Sequence, residues 1–183
     1  MSTYDDGQLV ELARAGTRAA FDELFRRHGR RVHDFAYHML SDADGADDVV
    51  QEVFLRVHGG LRKFRGQCPV GNWIMRIAVN ECISQRRRSR RRKAEGPLSD
   101  AVEASALVHA QPDDGIDIRQ ALARLRPAER ALIVMGGVVG MSYAEIGEIT
   151  GCSASVVGVK LHRARMKLRH ELGDTMTGSA DHD

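Results

Sequence analysis

The stretch MSYAEIGEITGCSASVVGVKLHRARMKLRHEL, residues 141–172, decides the fold of the C-terminal part of the chain. Ser142 and Glu145 have the spacing of a capping box, in which two side chains satisfy backbone N–H groups at a helix start. Gly151 suits the left-handed turn after that helix, and Ser153 can cap a second one. Two helices joined by a short glycine turn predict a helix-turn-helix.

The second helix of this motif is predicted to have a buried apolar stripe and an exposed basic face. The stripe recurs at helical spacing and consists of Val157, Leu161, Ala164 and Leu168. A basic exposed face suits DNA, because phosphates attract cations and base edges supply sequence preference. A solvated basic face on an ordinary helical hairpin is the alternative. The exposed face carries Lys160, His162, Arg163, Arg165, Lys167 and Arg169.

The composition is that of a globular chain. Hydrophobic residues make up 43% of the 183 residues, and no apolar run is long enough to span a membrane. The N-terminus, MSTYDDGQLVELARAG, lacks a basic start followed by an apolar run, so we expect a cytoplasmic protein. Cys68, Cys82 and Cys152 have no C-x-x-C spacing, which favours buried or half-buried thiols over disulfides or a zinc site. No metal or cofactor is predicted.

Charge is segregated along the chain. Residues 61–93 contain 11 basic side chains and 1 acidic one, whereas residues 94–118 contain 6 acidic side chains and no basic one. Residues 1–60 contain 7 basic and 11 acidic side chains, and residues 119–183 contain 9 and 7. A concentrated basic stretch is typical of contact with a polyanion, because solvated helix faces usually mix both signs. We therefore expect a polyanion contact within residues 61–93.

Helical periodicity dominates, so the fold class is all-α, with two small helical domains joined by an acidic linker. The chain shows no sustained two-residue alternation of the kind that predicts strands. Four helices are expected in the first domain, residues 1–93, with a loop at 61–72. The linker is predicted at 94–115, the second domain at 116–172 and a disordered tail at 173–183.

Residue types mark several helix boundaries. Ser41 and Asp44 are expected to supply the turn and the cap between the second and third helices. Gly59 and Gly60 are expected to end the third helix, and Pro127 suits a first helical turn in the second domain.

The fourth helix is predicted to have one apolar side and one polar, increasingly basic side. Arginine binds phosphates and guanine edges, and asparagine offers a donor and an acceptor to a base edge, so the polar side suits nucleic acid. That side carries Arg76, Asn80, Ser84 and Arg87 or Arg88. Phe64 and Trp73 offer aromatic surfaces for an unstacked base. Core packing is the alternative for Trp73.

The third helix has an acidic polar face that would repel DNA. Its residues are Asp47, Asp48, Gln51 and Glu52. Such a face suits a basic surface on a protein partner. An ordinary solvated face is the alternative interpretation.

Two ordered sets of motifs resemble the sigma factors of bacterial RNA polymerase. The similarity is to the small extracytoplasmic-function (ECF) group, which keeps only the second and fourth conserved regions. The first set is AFDELFRRH, DADGADDVVQEVFLRV, FRG and WIMRIAVN, and the second is LARLRPAERALIVM, SYAEIGEITG and KLHRAR. The resemblance covers about residues 17–92 and 116–172.

The resemblance implies a role in promoter recognition, with core RNA polymerase, promoter DNA and an anti-sigma factor as partners. It implies that core polymerase is bound by Asp47, Asp48, Gln51 and Glu52. It implies that the melted minus-ten element is held by Phe64, Arg65, Trp73, Arg76, Asn80, Ser84, Arg87 and Arg88. It implies that the minus-thirty-five element is read by Ser153, Ser155, Val156, Lys160, His162, Arg163, Arg165 and Lys167.

Several positions depart from the family pattern. Where relatives commonly have Gly-Thr-Val-Lys-Ser-Arg, residues 155–160 are Ser-Val-Val-Gly-Val-Lys. The recognition helix therefore has one basic residue fewer and two more valines, and Gly158 costs about 1 kcal/mol of helix propensity relative to alanine. Val156 suits contact with a thymine methyl group. Ser84 and the loop residues 67–70 also differ from the common pattern, so we expect an altered promoter preference.

Two other functions fit parts of the sequence. One is a self-sufficient helix-turn-helix regulator whose first domain only oligomerises, which predicts tight duplex binding by the pure protein. The other is an interaction adaptor without DNA binding, which the weakened recognition helix favours. An enzyme is not expected, because the chain has no H-E-x-x-H motif, no phosphate-binding glycine loop and no nucleophile elbow.

Overall fold

The structure is a computed structural model that describes residues 3–95 and 115–178. Within these ranges the fold is all-α and contains no strand. The helices are α1 (Asp6–Arg14), α2 (Arg18–Leu40), α3 (Ala43–Gly60), α4 (Val70–Glu95), α5 (Gly115–Arg124), α6 (Pro127–Gly137), α7 (Tyr143–Thr150) and α8 (Ala154–Gly178), with a 3₁₀ turn at Leu61–Lys63. None of the described helices has the length and apolarity needed to cross a membrane.

Helices α1 to α4 pack around one apolar core in the first domain. α2 contacts α1, α3 and α4, and its Val32, Phe35 and Met39 side chains are completely buried. α3 contributes the predicted apolar side, in which Val53 and Val57 are fully buried. Because these side chains recur every three or four residues, each helix turns a single stripe inward and leaves a polar face for solvent or partners.

Two boundaries differ from the prediction. The residue before α3 is Asp42 rather than Asp44, because Ser41 adopts a left-handed φ of 58° and ends α2 directly before it. α4 begins at Val70 rather than near Trp73, since the carbonyl of Pro69 already accepts backbone hydrogen bonds at 3.0–3.1 Å. The earlier start adds Asn72 to the first turn of α4.

Helices α5 to α8 form the second domain, and its predicted helix-turn-helix is present as α7 and α8. The Ser142 hydroxyl and the Glu145 carboxylate form the capping box at the start of α7. Gly151 adopts a left-handed φ of 69° between the two helices. Pro127 occupies the first turn of α6, as its type predicts. α8 extends to Gly178, so it continues into the segment that composition predicts as a tail.

The two domains pack against each other. α6 contacts the C-terminal part of α2, and α7 contacts α4. Buried apolar side chains of both domains form one continuous cluster. The predicted linker at 94–115 lies outside the described residues, apart from the ends of α4 and α5 that extend into it.

Gly147 allows the turn of the helix-turn-helix to fold back against α7. A Cβ atom at this position would lie 2.5 Å from the backbone carbonyl oxygen of Cys152. We expect Gly147→Ala to lower the free energy of unfolding by about 1–3 kcal/mol, because backbone atoms must shift to make room. Urea unfolding measures this change. Gly137→Ala is the control, since nothing lies within 4 Å of its Cβ position. Equal midpoints for the two variants would contradict the prediction.

Candidate nucleic-acid interface

An aromatic and basic cleft lies at the start of α4. The rings of Phe64 and Trp73 are tilted by 31° with centroids 4.8 Å apart, and both side chains are partly buried. Trp73 therefore combines core packing with a position at the cleft, so the two interpretations of the sequence are compatible. The cleft has a volume of about 440 Å³ and is lined by Lys63, Phe64, Arg65, Gln67, Cys68, Trp73, Arg76 and Glu148.

The exposed face of α4 continues from this cleft. Asn80, Ser84 and Arg87 are exposed and, at roughly 100° per residue, lie within about a quarter turn of Arg76. A single strand lying along this face would meet amide, hydroxyl and guanidinium groups in succession. Such groups bind phosphates and base edges.

Arg88 faces a different side of α4. Its guanidinium donates to the Glu81 carboxylate at 2.6 Å, and Arg56 from α3 binds the other carboxylate oxygen of Glu81 at 2.8 Å. The Glu81 side chain is only 8% exposed, and two arginines neutralise it. This network fixes α4 against α3 and directs Arg88 toward the acidic face.

The acidic face of α3 is exposed and lies next to this network. Asp47, Asp48 and Gln51 are exposed, and Glu52 is half-buried and accepts from Arg56 at 2.6 Å. Leu55 on the same face is 70% exposed. Charged side chains around an exposed leucine are suited to docking a protein surface with basic groups and an apolar contact.

The recognition helix α8 has a sharply divided surface. Val157, Leu161 and Ala164 are buried, and Leu168 is half-buried, as the periodicity predicts. All eight residues that the resemblance assigns to minus-thirty-five DNA are exposed. Val159 is 53% exposed and lies opposite the buried stripe, at the centre of the outward face. The helical periodicity of α8 alone would have placed Val159 opposite the buried stripe. The sequence interpretation selected basic residues and therefore omitted it.

Two cations of α8 are bound within the domain. The Lys160 ammonium group lies 3.1 Å from the Cys152 sulfur, and Lys167 forms an ion pair with Glu129. By contrast, Arg163 and Arg165 form no ion pair with the side chains that the structure describes, which are those of residues 3–89 and 118–173. The outward face is therefore less basic than its residue types predict, and Val156 and Val159 are near its middle.

Asn72 is a polar residue that the sequence interpretation missed. It is only 5% exposed, and its amide nitrogen donates to the Glu148 carboxylate of α7 at 2.7 Å. It lies one residue before Trp73, so it borders the cleft. No sequence signal identified it, because its partner is 76 positions away in the chain.

These features define a two-domain helical DNA-binding protein. One domain presents a helix-turn-helix, and the other presents an aromatic and basic cleft beside a separate acidic face. Family models agree with this division, since Sigma-70 region 2 matches residues 24–92 and Sigma-70 region 4 matches residues 116–168.

Relatives extend the match over most of the chain. The ECF RNA polymerase sigma factor SigM of Mycobacterium tuberculosis (strain ATCC 25618 / H37Rv) is 35% identical over 94% of this chain and 87% of its own length. CarQ, an RNA polymerase sigma factor of Myxococcus xanthus, is 31% identical over 90% of this chain and 96% of its own length. This chain belongs to the ECF sigma factors of the sigma-70 family, which are transcription initiation factors rather than enzymes.

Two solved structures have a similar fold. CnrH, in complex with the cytosolic domain of CnrY, aligns with a TM-score of 0.68 and 27% identity over 91% of this chain and 96% of its own. The sigma factor RpoE in complex with the anti-sigma factor NepR, from Bartonella quintana, aligns with a TM-score of 0.64 and 26% identity over 88% and 98% of the two chains.

The thiols of Cys152 and Cys82 are expected to differ in reactivity. The hydrogen bond from Lys160 lowers the pKa of Cys152, whereas burial raises the pKa of Cys82 to about 12. Because the thiolate is the nucleophile, iodoacetamide at about pH 8 should alkylate Cys152 first and Cys82 only after unfolding. Lys160→Met should slow alkylation of Cys152. Peptide mass spectrometry measures both rates, and equal rates for the two thiols in the folded protein would refute the assignment.

Proposed function

We propose that this chain directs core RNA polymerase to promoters by using three separate surfaces. The acidic face of α3 docks on polymerase, the cleft at the start of α4 holds the melted minus-ten element, and α8 reads the minus-thirty-five element. The observation that supports this assignment best is the separation of charge between α3 and α4. A protein-binding surface and a DNA-binding surface can then be occupied together. Such a protein acts in the cytoplasm, where polymerase and chromosome are.

The cleft supports binding of an unpaired base. Phe64 and Trp73 supply an aromatic surface on which a base can stack, and stacking of this kind contributes about 1–3 kcal/mol per base. Lys63, Arg65 and Arg76 surround the aromatic pair and can bind the flanking phosphates. Stacking is available only to a base that has left the duplex, so binding here favours the melted state over the paired one.

The same domain supports binding to polymerase through Asp47, Asp48, Gln51 and Glu52. Leu55 extends this surface with an exposed apolar side chain. Arg88 belongs with this surface rather than with the cleft, because the Glu81 carboxylate holds it on the α3 side. Its part in minus-ten binding is therefore the weakest of the eight assigned positions.

An anti-sigma factor completes the proposal. The similar sigma factor RpoE was solved with the anti-sigma factor NepR, and its fold matches 88% of this chain. A protein that covers the acidic face of α3 or the outward face of α8 would prevent promoter binding. We expect such a partner to bind this chain in its inactive state.

Reconstituted transcription separates the polymerase-binding face from the cleft. Asp48→Arg should abolish binding to core polymerase, because it reverses a charge on the docking face. Arg76→Ala with Asn80→Ala should leave polymerase binding intact and lower open-complex formation by at least about tenfold, since two direct contacts to the unpaired strand are lost. Pull-down with core polymerase and permanganate footprinting of a promoter mapped after overexpression measure the two steps. A double variant that melts the promoter normally would overturn the assignment of the cleft.

The recognition helix reads its DNA element chiefly through apolar contacts. Val156 and Val159 are 42% and 53% exposed and, three residues apart, lie on one side of the first turns of α8. Residues at the N-terminal end of a recognition helix reach base edges in the major groove, where the thymine methyl group is the apolar partner. Arg163 is exposed on the same face and can bind a phosphate. We therefore expect thymines in the minus-thirty-five element.

Replacing thymine by deoxyuridine tests this reading, because only the methyl group is removed. Deoxyuridine opposite Val159 should reduce initiation by the holoenzyme about fourfold, the equivalent of roughly 0.8 kcal/mol for one buried methyl group. Val159→Ala should lower initiation on thymine DNA and abolish the effect of deoxyuridine. Val138→Ala, which truncates a valine that is 44% exposed outside α7 and α8, is the control. Equal sensitivity of all three proteins to deoxyuridine would show that Val159 does not read the methyl group.

A further inference from the structure

A thiol and an amine are in direct contact at the turn of the helix-turn-helix. The Nζ atom of Lys160 lies 3.1 Å from the Sγ atom of Cys152, and the two residues are eight positions apart in the chain. Cys152 is half-buried and Lys160 is exposed, so small molecules in solution can reach both atoms. The site is therefore a pair of nucleophiles that touch each other, at the start of the recognition helix.

The backbone of the turn fixes the position of the thiol. The Cys152 N–H donates to the carbonyl of Gly147 at 3.1 Å, and the Cys152 carbonyl oxygen packs so closely on Gly147 that a Cβ atom there would lie 2.5 Å away. The sulfur lies 3.8 Å from the Thr150 carbonyl oxygen. Because the backbone of Cys152 is held on both sides of its Cα atom, its sulfur stays within reach of Lys160.

The direction of the Lys160 side chain follows from its place in α8. Long side chains of an α-helix point back toward its N-terminus, and α8 begins two residues after Cys152. Lys160 lies in the second turn, so its amine returns to the start of the helix. Among the side chains that the structure describes, Lys167 pairs with Glu129 but no carboxylate pairs with Lys160. The Cys152 sulfur is thus the polar partner that holds this amine.

The surroundings of Cys152 favour the thiolate form. The hydrogen bond from Lys160 lowers the pKa of Cys152, and the positive end of the α8 dipole acts in the same direction. Burial raises the pKa of Cys82 to about 12, so that thiol stays protonated. Peroxides oxidise thiolates to sulfenic acids, and a sulfenic acid condenses with a nucleophile that lies beside it. At Cys152 that nucleophile is the amine of Lys160.

We propose that hydrogen peroxide converts this pair into a reversible cross-link, a sulfenamide bond between the sulfur of Cys152 and the nitrogen of Lys160. The thiolate attacks one peroxide oxygen, the O–O bond breaks and hydroxide leaves, which gives the sulfenic acid. The amine then attacks the sulfur, the S–O bond breaks, and the hydroxyl group leaves as water with a proton from the nitrogen. One thiol, one amine and one peroxide yield one sulfenamide and two waters. Sulfur loses two electrons, and the peroxide oxygens gain them.

The cross-link removes a cation from the outward face of α8. In the reduced protein the contact is not covalent, so Lys160 can turn from the sulfur to a phosphate. In the sulfenamide its nitrogen is uncharged and tied to the turn. Loss of one phosphate contact should weaken promoter binding about fivefold at about 0.1 M salt. This effect rests on the proposed function, because it requires α8 to bind promoter DNA, whereas formation of the bond does not.

Peptide mass spectrometry of the full chain tests the bond. After hydrogen peroxide and then catalase, the Cys152 and Lys160 peptides should be joined, with a mass two hydrogens below the sum of the reduced pair. Dithiothreitol should restore the thiol and the amine and itself become a cyclic disulfide. Lys160→Arg keeps the positive charge without the amine, so Cys152 should then remain a sulfenic acid that dimedone labels. Lys167→Arg is the matched control and should cross-link like the parent protein.

Two results would overturn the cross-link. One is equal labelling of Cys152 by dimedone in the parent protein and in Lys160→Arg, because the amine would then not consume the sulfenic acid. The other is recovery of oxidised Cys152 in a disulfide. Cys68→Ser removes the other half-buried thiol and should leave the cross-link unchanged. Circular dichroism of each variant verifies that the helices are intact.

Promoter binding by the reconstituted holoenzyme tests the consequence. The chain is oxidised first and freed of peroxide, so that core polymerase never meets the oxidant. The cross-linked chain should bind polymerase normally and the promoter about fivefold more weakly, and the slope of log affinity against log salt should fall by about one. Peroxide should not change the promoter affinity of Cys152→Ser or of Lys160→Arg.

The outcomes separate the cross-link from the proposed function. Equal promoter affinity of the cross-linked and reduced chains would overturn the effect on DNA binding. If the mass spectra show the cross-link but the reduced chain directs polymerase to no promoter, the bond is confirmed and the proposed function fails.

Discussion

The carboxyl end of α2 is the point on which the arrangement of the two domains depends. The left-handed conformation of Ser41 stops the helix and leaves the carbonyls of His38 and Met39 without partners in the helix. Arg130 and Arg86, from α6 and α4, bind these carbonyls, so one helix end connects three helices. Burial and the charge of Arg86 lower the pKa of Arg130 to about 9, so it still carries its charge at neutral pH. The contact between the domains therefore combines the negative end of a helix dipole with two cations.

Charge separation within the first domain follows from how α3 and α4 pack. Both helices bury one apolar stripe and expose their remaining side chains. The outer surface of α3 is acidic and that of α4 is basic. Glu81, held between Arg56 and Arg88, lies at the boundary and prevents the basic surface from extending onto the α3 side. Two partners of opposite charge can then bind to one small bundle without competing.

Local sequence rules predicted the helices, the capping box of α7 and the turn at Gly151, because each depends on residues that are neighbours in the chain. The buried stripes of α3 and α8 followed for the same reason. Contacts between residues that are distant in the chain could not be predicted from these local rules. Asn72 and Glu148, or Arg130 and His38, are joined only by the packing of the two domains, and neither pair leaves a periodic signal. The early start of α4 was not predicted, because proline is typical of loops. The hydrogen bonds that the Pro69 carbonyl accepts at the start of the helix are visible only in the structure. Arg88 was grouped with Arg76 by residue type and helical spacing, and its contact with the Glu81 carboxylate, seven residues earlier in α4, could not be predicted in that way.

The surface of the recognition helix makes promoter binding depend on polymerase. Lys167 pairs with Glu129 and Lys160 contacts the Cys152 sulfur, so fewer unengaged cations of α8 are left for phosphates than its residue types suggest, and phosphate contacts supply most of the affinity for a duplex. Apolar contacts to thymine methyl groups add preference but little affinity. Polymerase can compensate for this weakness, since the proposed docking through α3 would raise the local concentration of the second domain near the promoter. A helix that binds duplex DNA weakly thus selects promoters only when it is part of the larger complex.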